Sequence, residues 1–178
     1  SVASLLLVVM GMGVGTNCFA DIAIDLTLAS DYTGVKPDGM TTMGWQFTVD
    51  SPVVVTHLGL YDFSHESVYI PGSSWTVVPA DGFNSAHPVG LWRLSDATLL
   101  TSGTIPAGTD ATLIDRFRYV EVPEVTLDPG DNYVIGFYTA SNLTSDPVAA
   151  DPDKVTWNTD PIIHYVSALT GSSSSGLT

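Results

Sequence analysis

His87-Pro88-Val89-Gly90-Leu91-Trp92, Thr98-Leu99-Leu100, Phe117-Arg118-Tyr119-Val120, Val125-Thr126-Leu127 and Tyr133-Val134-Ile135-Gly136-Phe137-Tyr138 follow one another along the stretch 87–138. Between them stand Ser95-Asp96, Pro106-Ala107-Gly108 and Asp128-Pro129-Gly130-Asp131-Asn132. Short β-branched and aromatic runs, broken by Gly, Pro, Asp and Ser clusters about every 8–12 residues, are the pattern of an antiparallel sandwich or barrel. This reading decides the fold class: all-β, an antiparallel, jelly-roll-like β-sandwich in a single domain. Asp128–Asn132 reads as a tight turn, with Pro129 pre-setting φ and Gly130 accepting a positive one. Leu127 and Tyr133 are then expected to fix the register across it.

The flanks extend the pattern. Ile22, Ile24, Leu26 and Leu28 alternate with Asp21, Ala23, Asp25 and Thr27, as a half-buried strand does. Gly44–Val49 puts Trp45, Phe47 and Val49 on one face. The Val53-Val54-Val55 start of 53–61 suggests burial on both sides. Val155–Trp157 and Ile162–Val166 read as the last strands. No helix of normal length is indicated, and Trp45 and Trp92, lying in strands, are expected in the core. Residues 62–86 carry no clean period. Phe63, Tyr69, Trp75 and Phe83 in this segment are candidates to line a binding surface, or to cap one end of the sandwich, and 75–78 reads as a short extra strand.

The chain has 178 residues, enough for one ordinary domain with a real core. Nineteen acidic against five basic residues give a net charge of −14. Phosphate binding needs Lys and Arg to displace counterions, so nucleic acid and anionic membrane surfaces are excluded as partners.

Residues 1–20 read as the rear of a secretory signal peptide. An apolar run, Ala3 to Val9, precedes Cys18-Phe19-Ala20, with small residues placed for a cut between Ala20 and Asp21. The run is too short for a comfortable membrane span. Acylation at Cys18 is the rival reading, but Asn17 sits where a small residue is expected. The sandwich is then expected over 21–170, followed by a flexible Ser/Gly tail over 171–178. With Cys18 removed, the exported chain keeps no cysteine and relies on core packing.

Several phrases resemble a group of exported bacterial β-sandwich proteins that usually end in a PEP-CTERM sorting tail. They are Gly44–Val49, Val55–Asp62, Ser85–Trp92, Leu99-Leu100, Phe117–Val120 and Leu127–Gly136, together covering about residues 44–138. The resemblance implies an exported, non-catalytic module of the cell surface or extracellular matrix. Polysaccharide or other surface proteins are the implied partners, and membrane contact comes only through the signal or a C-terminal sorting tail. The sequence ends at Thr178 ahead of any such segment, so surface anchoring through it is an expectation carried by the resemblance.

Calcium takes several hard oxygen ligands and often pins loops of extracellular β-modules. Asp62, Asp81, His87 and Asp96 are the candidate calcium ligands, although no EF-hand loop is present. The four histidines are too widely spaced for a transition-metal motif. No Gly-x-Ser-x-Gly elbow or phosphate-cradling glycine loop appears, so a non-enzyme is expected. Sugar sites stack an aromatic ring on a sugar face and fix hydroxyls with Asp, Asn or Arg. Trp75 is the expected exposed platform, with Tyr69, Asn84 and Asp81 beside it. A structural or self-associating surface protein with no small ligand is the alternative.

Overall fold

The computed structural model describes residues 6–11, 20–28, 41–62, 67–68, 76–77, 81–139, 146 and 155–172. In chain order the strands are β1 (Leu6–Gly11), β2 (Ala20–Ile22), β3 (Ile24–Leu28), β4 (Thr41–Val49), β5 (Val53–Tyr61), β6 (Ser67–Val68) and β7 (Thr76–Val77). Then follow β8 (His87–Arg93), β9 (Thr98–Ile105), β10 (Thr112–Ile114), β11 (Phe117–Leu127), β12 (Tyr133–Thr139), β13 (Val155–Thr159) and β14 (Ile163–Ser172). No helix occurs among the described residues, hence none long and apolar enough to cross a membrane.

Two five-stranded antiparallel sheets make the sandwich. The first runs β10-β11-β5-β1-β2 and the second β14-β4-β12-β8-β9; β3–β13 and β6–β7 form small separate ribbons. Leu6–Gly11, within the stretch read as a signal, pairs on one side with β5 and on the other with β2. The Ser/Gly segment read as a tail contributes Gly171 and Ser172 to the end of β14, and 173–178 lie outside the described residues.

Alternation builds the core. On β4 the residues Met43, Trp45, Phe47 and Val49 are buried, and in-register partners on β12 (Phe137, Ile135, Tyr133) and β8 (Val89, Leu91) continue the same face. From the first sheet come Leu58 and Leu60 of β5, both buried. Each such side chain contributes about 1.5–3 kcal/mol when fully removed from water. β9 packs over β11 closely enough that a Cβ on Gly103 would touch Val120 and Val122. The Thr101 hydroxyl donates to the Pro123 carbonyl across that seam at 3.0 Å.

The Asp128–Asn132 turn works differently from the expectation. It does not close a hairpin, because β11 pairs with β5 and β10 while β12 pairs with β4 and β8. Both edges of both strands are taken, so the turn carries the chain from one sheet to the other. Gly130 does adopt a positive φ of 93°. The Tyr133 hydroxyl fastens the crossover by accepting the Asp128 N–H and donating to the Asp128 carbonyl.

Candidate functional site

The outer face of the second sheet, turned away from the core, holds the arrangement best suited to a ligand. Gly44, Gly136 and Gly90 are cross-strand neighbours on β4, β12 and β8, on the face turned away from the core. At Gly44 an added Cβ would run into the Ile135 carbonyl oxygen and the Gly136 Cα, so the strand there requires a residue without a side chain. At Gly90 the missing Cβ leaves room for Trp92, whose six-membered ring comes within 2.5 Å of where that Cβ would sit. The same ring lies 3.6 Å from the corresponding point on Gly136. The indole therefore rests on glycine backbone and remains half-buried.

Amides and hydroxyls share this face with it. The Gln46 side-chain amide donates to Asn132 Oδ1 at 2.8 Å, and the Ser167 hydroxyl lies 3.4 Å from Gln46 Oε1. Ser102, paired with Gly90, and Thr104, paired with Pro88, are exposed on the neighbouring edge strand β9. A flat aromatic ring with oriented amides and hydroxyls around it suits a ligand with a C–H face and many hydroxyl groups.

By contrast, the aromatic column on the other face of β5 and β11 is closed. Tyr61 meets Phe117 edge-to-face at 5.1 Å and Tyr119 lies against Gly59, all of them buried. A hollow at the β11 bulge is lined by Thr56, Glu121, Val122, Pro123 and Glu124, with two carboxylates and no aromatic ring.

The residues singled out from the sequence are scattered. Trp75 and Tyr69 lie outside the described residues. Asn84 is exposed, its backbone N–H bound to Asp146 Oδ1 at 2.7 Å. The buried Asp62 accepts the Arg118 Nε–H at 2.6 Å and the Gly82 N–H at 3.0 Å. Burial holds its pKa above the ordinary carboxylate value in spite of Arg118, and the nearby charge of Asp81 adds to the rise. His87 is buried with its Nε2 2.7 Å from Asp146 Oδ2, and its ring stands edge-on to Phe83 at 5.0 Å. Asp96 sits beyond the other end of β8, exposed, holding Arg93 at 2.6 Å and capping the Thr98 N–H.

The four calcium candidates therefore do not converge. Asp62 and Asp81 are neighbours, whereas His87 and Asp96 flank β8 at opposite ends. Among the described residues no three His, Cys, Asp or Glu side chains are grouped to hold a metal ion.

Trp45 is buried as expected. Trp92 is not in the core, and strict alternation carried the signal: with Val89 and Leu91 inward, Pro88, Gly90 and Trp92 must point outward. No protein family, curated protein or solved structure matches the chain.

Proposed function

We propose that this chain is an exported, non-catalytic β-sandwich module of the cell surface or extracellular matrix that binds carbohydrate weakly, with Trp92 as its platform. The observation that carries the binding is the half-buried Trp92 ring, laid on Gly90 and Gly136 amid amides and hydroxyls. Export and surface location are supported by the phrases resembling PEP-CTERM-type proteins.

A glycan array probed with the wild-type chain, Trp92→Ala and Trp92→Tyr tests the reading. The wild type retains at least one polysaccharide and Trp92→Tyr keeps part of the signal. Trp92→Ala weakens it about tenfold, the loss of roughly 1.4 kcal/mol of stacking. Retention on no glycan, or equal retention by Trp92→Ala, overturns it. Repeating the array with a chelator tests the calcium expectation.

A second reading, self-association with no small ligand, draws on β14. This ten-residue edge strand carries exposed Val166 and Leu169 and, among charged or titratable side chains other than tyrosine, only His164. Edge strands usually guard themselves with charge. Light scattering against concentration decides it, since a monomer throughout removes this reading.

A further inference from the structure

We infer that the polysaccharide seated on Trp92 is neutral, built of pyranose rings that present a flat C–H face, and that acidic polysaccharides are refused. The inference rests on the carbohydrate reading above and names its ligand class.

Charge decides the ligand class. Across β14, β4, β12, β8 and β9, the only ionisable side chains other than tyrosine are His87, Arg93 and His164. Each already faces a carboxylate. His87 lies on the core side against Asp146, Arg93 holds Asp96, and His164 Nε2 is 2.7 Å from Asp50 Oδ2. Recognition of a uronate, sulfate or phosphate group on a sugar relies on Arg or Lys, which supply charge-assisted hydrogen bonds. Among the described residues no such group stands open beside Trp92. The whole chain, at −14, repels a polyanion before contact. Nor do the five strands supply a carboxylate of their own to hold a cationic amino sugar. What remains is what a neutral sugar uses: a ring for its C–H face, and Gln46, Asn132, Ser102 and Thr104 for its hydroxyls.

The clean face also fixes the salt response. Coulombic binding weakens as added salt shortens the screening length from about 10 Å at 0.1 M to about 3 Å at 1 M, whereas stacking and neutral hydrogen bonds do not depend on it.

The test is calorimetric titration of the full chain with a neutral β-glucan and with a polyuronate of matched length, at about 0.1 M and about 1 M salt. The neutral glucan binds with an affinity unchanged within twofold between the two salts, and the polyuronate gives no heat. Leu99→Lys, at an exposed position paired with Trp92 across β8 and β9, gains polyuronate binding at low salt only and keeps the neutral glucan. Tighter binding of the polyuronate by the wild type, or a several-fold fall of glucan affinity at high salt, overturns the inference. If the polyuronate binds and Trp92→Ala abolishes it, the carbohydrate reading stands and the neutral class falls. If neither polymer binds and the array is also blank, both fall.

Discussion

Asp62 and Arg118 form an ion pair with both partners out of water, the carboxylate 0% exposed and the guanidinium 3%, at 2.6 Å. Arg118 Nη1 also donates to the Thr109 and Ala111 carbonyls, which ties the loop before β10 to the end of β5. Breaking a buried pair from one side leaves a charge with no compensation, at about 3–5 kcal/mol, whereas replacing both partners with apolar groups is far milder. Arg118→Met is therefore expected to be strongly destabilised, and Asp62→Leu/Arg118→Met to recover much of the loss, in urea denaturation. In Arg118→Met burial acts on Asp62 with only the Gly82 N–H left to oppose it. A carboxyl whose folded pKa is raised contributes stability that is full below the ordinary value and lost as pH rises through the raised one. The deficit of Arg118→Met thus shrinks toward acidic pH; a deficit that grows there refutes the account.

His87 and Asp146 make a second buried pair, 59 positions apart in sequence. Asp146 serves two donors at once, the His87 ring and the Asn84 N–H. Asp146→Ala removes the acceptor from both, and leaving the buried His87 nitrogen unpaired costs roughly 1–3 kcal/mol. Hydrogen exchange at the Asn84 amide is expected to accelerate together with the fall in stability. A protected Asn84 amide in Asp146→Ala means that another acceptor has taken over and the pair is dispensable.

Strand existence was legible because β-runs and breakers alternate plainly from Gly44 to Tyr138, and the short strand at Thr76–Val77 was legible too. The partner of each strand was not. Asp128–Asn132 has the composition of a hairpin turn, yet pairing is decided by which edges are free, and a local sequence does not contain that. The same limit hid the buried pairs. Arg118 reads as a polar residue among hydrophobics, and its partner lies 56 residues earlier. Asp96 looked like a metal ligand because an isolated Asp in a turn does not reveal that an Arg three residues before it will occupy its carboxylate.

Arg93 and Asp96 show the ordinary surface case. The guanidinium and the Thr98 N–H together hold the Asp96 carboxyl below the usual carboxylate range. A depressed carboxyl contributes stability that is present above the unfolded value and lost as pH falls through the folded one. Asp96→Asn is therefore expected to lower Tm slightly at neutral pH and to match the wild type in strong acid. Both side chains are exposed, so high salt shrinks the difference at neutral pH as well. A Tm difference that persists at about 1 M salt shows that the Asp96 contact with Thr98, not the ion pair, supplies the effect.

Gly44 and Gly90 make opposite demands on an added methyl group. At Gly44 a Cβ meets the backbone of β12, which is held by pairing on both sides and has no room to yield. At Gly90 it meets the far end of the Trp92 ring, which can swing away. Gly44→Ala is accordingly expected to cost about 1–3 kcal/mol through forced backbone shifts. Gly90→Ala costs less in stability but lifts the indole from its floor. The lift is read as a red shift of the Trp92 emission, isolated from the other three tryptophans by subtracting the spectrum of Trp92→Phe. Because the ring no longer lies flat, Gly90→Ala also loses glycan affinity toward the level of Trp92→Ala while remaining folded. An unshifted emission with full glycan affinity in Gly90→Ala shows that the ring does not depend on Gly90 for its seat. A Gly44→Ala no less stable than Gly90→Ala removes the steric account of the glycine row.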